Sequence, residues 1–311
     1  MTRKDFEIMA PVGSRESLAA AIKAGADSIY FGIENLNMRA HSASTFTIDD
    51  LKEMAQTCAA HGIKSYLTVN TIIYGEDLPL MRTIIDAAKE ADISAVIASD
   101  VAVMMYCRQI GQEVHLSTQL NISNIEALKF YAQFADVVVL ARELNMTQVA
   151  DIHRQIEEQR ICGPGGELIR IEMFCHGALC MAVSGKCYLS LDNTGRSANR
   201  GACMQICRRG YIVKDRETGT ELEIDNKYIM SPKDLKTVRF IDRMMEAGAC
   251  SKSRDVPGDR NMWPPSWAAI RKPYKTCWTG RSPKRKKTDG TSGWPACSTV
   301  VSGTGTTRDR L

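Results

Sequence analysis

Short apolar runs rich in Val and Ile alternate with longer stretches whose apolar positions recur every three to four residues. Phe6 to Val12 is such a run, closed by Pro11 and Gly13, and Ser14 then stands where a helix N-cap belongs, before RESLAAAIKAGA. The same unit repeats, with strands predicted over 28–33, 65–72, 95–99, 114–118, 137–141 and 169–174. Helices are predicted over 48–62, 77–91, 101–111, 121–134 and 145–159. The spacers AGAD (24–27), EADISA (90–95) and QFAD (133–136) each precede a strand, an echo that favours repeated β/α units. Strands of this composition between helices suit a parallel sheet covered on both faces. Seven units fit a TIM-like (β/α) barrel of the α/β class better than an open sheet, although periodicity alone does not separate the two.

In either architecture the chemistry belongs at the carboxyl ends of the strands. The polar residues there are Asn70, Asp100, Gln119, Arg142, Glu143 and His176. Each has a structural alternative: Asp100 and Asn121 are placed as helix caps, and Arg142 with Glu143 could be a surface ion pair. No Gly-rich phosphate fingerprint follows the first strand, which argues against a dinucleotide site there.

Composition narrows the class. Hydrophobic residues make up 44% of the 311 and charged residues 24%, which is ordinary globular usage. No apolar run reaches the roughly 18 residues of a membrane helix, so no membrane partner is expected. The opening MTRKDFEIMAPVG lacks the pattern of a signal peptide, which predicts a cytoplasmic protein with reduced cysteines. The net charge of +4 is unevenly distributed: residues 250–311 hold 13 Lys and Arg against 4 Asp and Glu, together with all four tryptophans. The body is therefore slightly acidic, and composition breaks near Ala249.

Five of the eleven cysteines fall within residues 172–211: Cys175, Cys180, Cys187, Cys203 and Cys207. Soft thiolates select zinc or iron–sulfur clusters. Cys203 and Cys207 form a close pair of the kind zinc sites use, whereas Cys180 and Cys187 have six residues between them, a spacing iron–sulfur ligation tolerates. Iron–sulfur, zinc and unligated thiols all remain open on spacing alone. Cys58, Cys107 and Cys162 read as packing residues. Lys186, Arg196, Arg200, Arg208 and Arg209 surround the cysteines, with Tyr188 and Tyr211 available to stack on an unpaired base. A solvated basic surface would look the same.

The run Glu172-x-Phe174-x-x-Gly177-Ala178-Leu179-Cys180, then Gly185-x-Cys187-x-Leu189-Ser190, resembles the signature of the collagenase-like peptidases of family U32. The likeness continues through Arg196 to Arg208 and through Tyr228-Ile-Met-Ser231-Pro232-Lys233-Asp234-Leu235, and covers residues 5–248. It implies a β/α barrel interrupted by a cysteine-rich insertion. The branch it is similar to hydroxylates RNA without oxygen, forming 5-hydroxyuridine at the transfer RNA wobble position with prephenate as hydroxyl donor; other members act on a ribosomal cytidine or a ubiquinone precursor. The resemblance implies a 4Fe-4S cluster held by Cys180, Cys187, Cys203 and Cys207, with Cys175 a bystander. Transfer RNA, a small-molecule hydroxyl donor, and cluster-assembly and electron-transfer proteins are the implied partners. Arg196, Arg200, Arg208 and Arg209 are the candidate RNA contacts, and Glu172, His176 and Arg142 the candidate catalytic residues. The family label also implies peptide hydrolysis. No HExxH is present, and five histidines leave a nucleophilic set open without identifying one. A zinc-stabilised RNA-binding module is the third reading.

After Gly248 the family pattern would continue with an eighth strand like VFKIEGRARGPEYV, whereas this chain reads CSKSRDVPGDRNMW from Cys250. Codons for Cys250 to Trp263 read one base earlier can spell the family segment, so a frame slip before Cys250 is inferred. The expected organisation is barrel units over 1–177, a cluster-binding insertion over 178–228, a return helix over 229–249 and an aberrant, disordered tail over 250–311. The barrel is expected to be truncated before its eighth strand, with strands one and seven left open and this chain's activity in doubt.

Overall fold

A computed structural model describes residues 7–38, 40, 46–224, 229–237 and 239–253. The seven predicted β/α strands are β1 (Met9–Pro11), β2 (Ser28–Phe31), β3 (Lys64–Val69), β4 (Ala95–Ala98), β5 (Val114–Leu116), β6 (Val137–Val139) and β7 (Arg170–Gly177). Between them run α1 (Arg15–Ala24), α2 (Asp50–Ala60), α3 (Leu78–Glu90), α4 (Val101–Ile110), α5 (Ile125–Ala132) and α6 (Met146–Gln159). Ser14 caps α1 in a reciprocal capping box with Ser17. Asp100 caps α4 through the Ala102 amide, as its structural reading required. Asn121 does not cap α5, which starts three residues later on Asn124; it closes the 3-10 turn Thr118–Leu120 in the left-handed conformation.

Parallel pairings run from β1 through β7 in chain order. The expected gap after β7 is filled. Residues Ala249–Ser253 form a strand, β11, that pairs in parallel with β7 on one edge and with β1 on the other, so the eight strands make a closed circuit. The correction has a backbone cause. Ladder hydrogen bonds come from main-chain amides and carbonyls, and α8 (Ile241–Glu246) followed by left-handed Gly248 delivers the chain to that slot whatever side chains follow. Strands one and seven are thus not open edges over this length, and any departure from the family pattern begins within or after β11. Residues 254–311, with the inferred frame slip and tail, lie outside the described residues.

Period-2 alternation splits the apolar strand residues between two cores. Ile8, Ile29, Phe31, Leu67, Val96, Leu116, Val138 and Ile171 join helix residues such as Met54, Ile85 and Val149 in the large core outside the barrel. Met9, Tyr30, Tyr66, Ala95 and Ile97 form a smaller cluster drawn only from strands, the filling of the barrel itself.

Beneath that filling, the amino ends of the odd-numbered strands present charges of alternating sign: Glu7, Lys64, Glu113 and Arg170. Lys64 Nζ lies 3.0 Å from Glu7 Oε2, and the buried Tyr66 hydroxyl donates to Glu7 Oε1 at 2.6 Å. Glu113 meets His115 Nε2 at 3.1 Å and Arg170 at 3.6 Å. Burial pushes the Glu7 carboxyl up, but the Lys64 charge and the Tyr66 hydrogen bond outweigh it and hold the group below its ordinary value. A depressed carboxyl contributes stability above its unfolded value and loses it as pH falls through the folded one. Tyr66→Phe is therefore expected to cost about 1.5–3 kcal/mol at neutral pH, as for a hydrogen bond to a charged group. The difference from wild type should vanish as acid protonates Glu7, measured by urea unfolding across pH; a constant difference would remove Glu7 from the account.

Candidate functional site

β7 leaves the barrel at Gly177, and the chain then makes an insertion over the carboxyl ends of the strands. It contains α7 (Leu189–Thr194), single turns at Ala198–Arg200 and Ile206–Arg208, and a hairpin of β8 (Tyr211–Lys214) and β9 (Glu221–Ile224). It returns through β10 (Leu235–Lys236), which pairs antiparallel with His176 and Gly177. Three contacts seat it on the barrel. Asn199 accepts from the Ile72 amide at 3.2 Å. Arg200 pairs with Asp77, donates to the Ile72 carbonyl at 2.8 Å and lies 4.3 Å from the Tyr74 ring centroid. Ser184, buried, meets Arg142, and its carbonyl accepts from Asn121 Nδ2 at 2.9 Å.

The insertion gathers its cysteines. Cys180 and Cys203 are exposed, Cys187 and Cys207 half-buried. The Cys207 thiol is pushed up by burial and by the thiols of Cys203, Cys180 and Cys187, so each of these three lies within electrostatic reach of Cys207. Among the described residues no three His, Cys, Asp or Glu side chains are disposed to ligate one ion. Cys175 belongs instead to the outer hydrophobic core and offers its carbonyl to Thr237 Oγ1 at 2.7 Å. Burial lifts the Cys58 and Cys107 thiols to about 11 and about 12, which leaves them inert packing residues.

The arginines divide into two kinds. Arg208 donates to Asp234 Oδ1 at 2.7 Å and to the Leu179 carbonyl at 3.4 Å, with its side chain 15% exposed. Arg200 is bound as described. These two brace the insertion through Asp77 and Asp234, and sequence proximity to the cysteines gave no hint of partners as remote as Asp77. Arg196 and Arg209 are exposed, as are Lys186 and Tyr188, the last 70% exposed. Tyr211 is half-buried and spends its hydroxyl on the Ile206 carbonyl at 2.6 Å.

The candidate catalytic residues occupy different depths. Glu172 is 3% exposed and faces the barrel interior, close enough to Tyr66 to raise its phenol. His176 sits at the mouth between Lys236 and Ser253 on the flanking strands. Burial, then the Lys236 charge, hold its imidazole below the ordinary value against the opposing pull of Asp234, so it is neutral at neutral pH. Arg142, after β6, binds Ser184. Asn70 joins the same rim, accepting from the Met38 amide at 3.1 Å and donating to Ser117 Oγ at 3.3 Å. Ser184 was not foreseen as a site residue; its only signal in the sequence is its place between the first two cysteines.

The chain matches the model described as Peptidase family U32 over residues 13–252, a match that stops close to the compositional break at Ala249. It is 71% identical over 248 residues to a protein described as Collagenase from Porphyromonas gingivalis (strain ATCC BAA-308 / W83), covering 80% of this chain and 60% of that one. It is 34% identical over 252 residues to a tRNA hydroxylation protein from Bacillus subtilis (strain 168), covering 79% of this chain and 57% of that one. The chain thus spans about three fifths of the length of these curated relatives. A solved structure described as a U32 peptidase superposes with a TM-score of 0.51 at 10% identity, over 82% of this chain and 94% of that one, a likeness of fold.

Proposed function

This chain belongs to Peptidase family U32, and from that membership we propose that it serves an iron–sulfur-dependent, oxygen-independent RNA hydroxylase. Transfer RNA is the proposed substrate, 5-hydroxyuridine at the wobble position the product, and prephenate the hydroxyl donor. The nearness of Cys180, Cys187 and Cys203 to Cys207 within one insertion is what supports this reading. These four would hold a 4Fe-4S cluster, which supplies one-electron chemistry at a soft Lewis-acidic centre. Loading it implies cluster-assembly and electron-transfer partners.

The protein's own residues have separable tasks. Neutral His176 at the mouth can take up a proton, and Glu172 is buried on the same strand four residues before it. Arg196, Arg209 and Lys186 offer phosphate contacts, and Tyr188 a face for an unpaired base. Arg196→Ala and Arg209→Ala are each expected to weaken transfer RNA binding and to lower its salt slope by about 1. Arg208→Ala should lower thermal stability first, because it strips Asp234 of its partner. Equal salt slopes in all three variants would remove the exposed arginines from the interface.

Peptide hydrolysis is the second reading, favoured by the 71% identical relative described as Collagenase. Metal content separates the readings. About four irons and four acid-labile sulfides per chain, on protein purified without oxygen, support the hydroxylase and direct the assay to modified nucleosides. One zinc without sulfide would favour a structural site, and with it either the peptidase or a zinc-stabilised RNA-binding module.

A further inference from the structure

The segment that carries Cys180 and Cys187 is tied down at points that bracket both. Arg208, paired with Asp234, donates to the Leu179 carbonyl at 3.4 Å, one residue before Cys180. Arg142, just beyond the carboxyl end of β6, donates from Nη2 to the Ala182 carbonyl at 3.5 Å and to Ser184 Oγ. Asn121, closing the turn after β5, donates from Nδ2 to the Ser184 carbonyl at 2.9 Å, and Thr118 Oγ1 in the same turn lies 3.5 Å from Ser184 Oγ. Gly185 follows with φ +70°, so near the rim that a Cβ on it would stand 3.0 Å from Gln119 Cβ. The Lys186 amide then donates to the Val183 carbonyl at 3.1 Å, closing the turn that leads into Cys187.

We propose that Arg142 is a positioning residue: through buried Ser184 it fixes the segment between Cys180 and Cys187 on the barrel rim, so that both thiols stand in a set relation to the mouth. The guanidinium uses one nitrogen for this clasp. Its Nε and Nη1 are sealed from solvent with no acceptor among the described residues. A guanidinium stays charged at every pH a folded protein experiences, and buried donors left unmade on a charged group are costly. An apolar side chain of similar length would serve stability as well or better, so stability does not account for an arginine here, whereas its reach to Ser184 does. The groups that converge on Ser184 come from two strand ends, β5 and β6, and therefore place the segment relative to the rim where barrel chemistry belongs. Arg142 acts on the cysteines through Ser184 and moves no proton. The inference rests on the hydroxylase reading only for what the thiols hold; the clasp itself follows from the contacts.

Hydrogen exchange of the whole chain without bound metal, read over residues 178–187 beside thermal unfolding, tests it. In Arg142→Met this segment is expected to exchange at least about tenfold faster than in wild type, the factor of one hydrogen bond to a charged group. The thermal midpoint should stay level or rise, since an incompletely paired buried charge has been removed. Ser184→Ala, which removes the hydroxyl and keeps the charge, should loosen the same segment. The double variant should loosen it no further than Arg142→Met alone, because both act through one contact. In protein loaded without oxygen, the same variants should alter the electron paramagnetic resonance spectrum of the reduced cluster, as displaced ligands do. Unchanged exchange in both single variants, or a fall in the Arg142→Met midpoint that speeds exchange across the whole chain, overturns the proposal. A loosened segment in a protein that never takes up iron would count against the cluster alone; four irons with an unloosened segment would count against this one.

Discussion

Replacing Cys180 and Cys207 together with alanine is expected to abolish iron and sulfide binding, while Cys175→Ala keeps both. The first two belong to the proposed ligand set, lie on opposite sides of α7 in the chain, and are within electrostatic reach of each other. A four-iron cluster deprived of two thiolates has lost half its protein bonds. Cys175 lies in the hydrophobic core between barrel and helices, so truncating it removes packing and costs stability of about 1 kcal/mol, without touching the metal. The measurement is iron and acid-labile sulfide per chain for the three proteins, beside their thermal unfolding. A double variant that keeps four irons would sink the ligand assignment. Iron lost in Cys175→Ala but kept in the double variant would move the site into the core.

Gly201→Ala is expected to undock the insertion. Gly201 has φ +79°, in the left-handed region, and a Cβ there would stand 2.4 Å from the Asn37 carbonyl oxygen. That oxygen is backbone in the β2–α2 connection and cannot swing aside as a side chain would. Left-handed strain adds to the overlap, and a loss of at least about 3 kcal/mol follows for the contact between insertion and barrel. Gly195 is an internal control: its φ is +67°, but nothing lies within 4 Å of its would-be Cβ, so Gly195→Ala should cost only about 1 kcal/mol. Limited proteolysis of the insertion and cluster content read the difference. Equal behaviour of the two variants would show that the close approach at Asn37 does not hold the insertion down.

The separation between legible and illegible residues follows the range of the forces involved. The β/α units could be read because a helix or strand writes its period into adjacent positions, and Ser14 and Asp100 cap helices through amides two or three residues away. Glu172 was harder. Its neighbours in the chain lead to the cysteines, but alternation along β7 turns its side chain into the barrel, toward Tyr66 on a strand more than 100 residues earlier. Arg200 and Arg208 look like phosphate ligands in the sequence, and their partners Asp77 and Asp234 are known only once the insertion has folded back.

The chain's own pattern thus determined the class of fold and the order of its units, since these depend on local periodicity. Tertiary structure alone decided that Ala249–Ser253 closes the ring and that two of the four arginines are held by Asp77 and Asp234. Backbone pairing carries no side-chain signature. An ion pair or an unmet donor is a property of two surfaces brought together, and becomes definite only when distant segments pack.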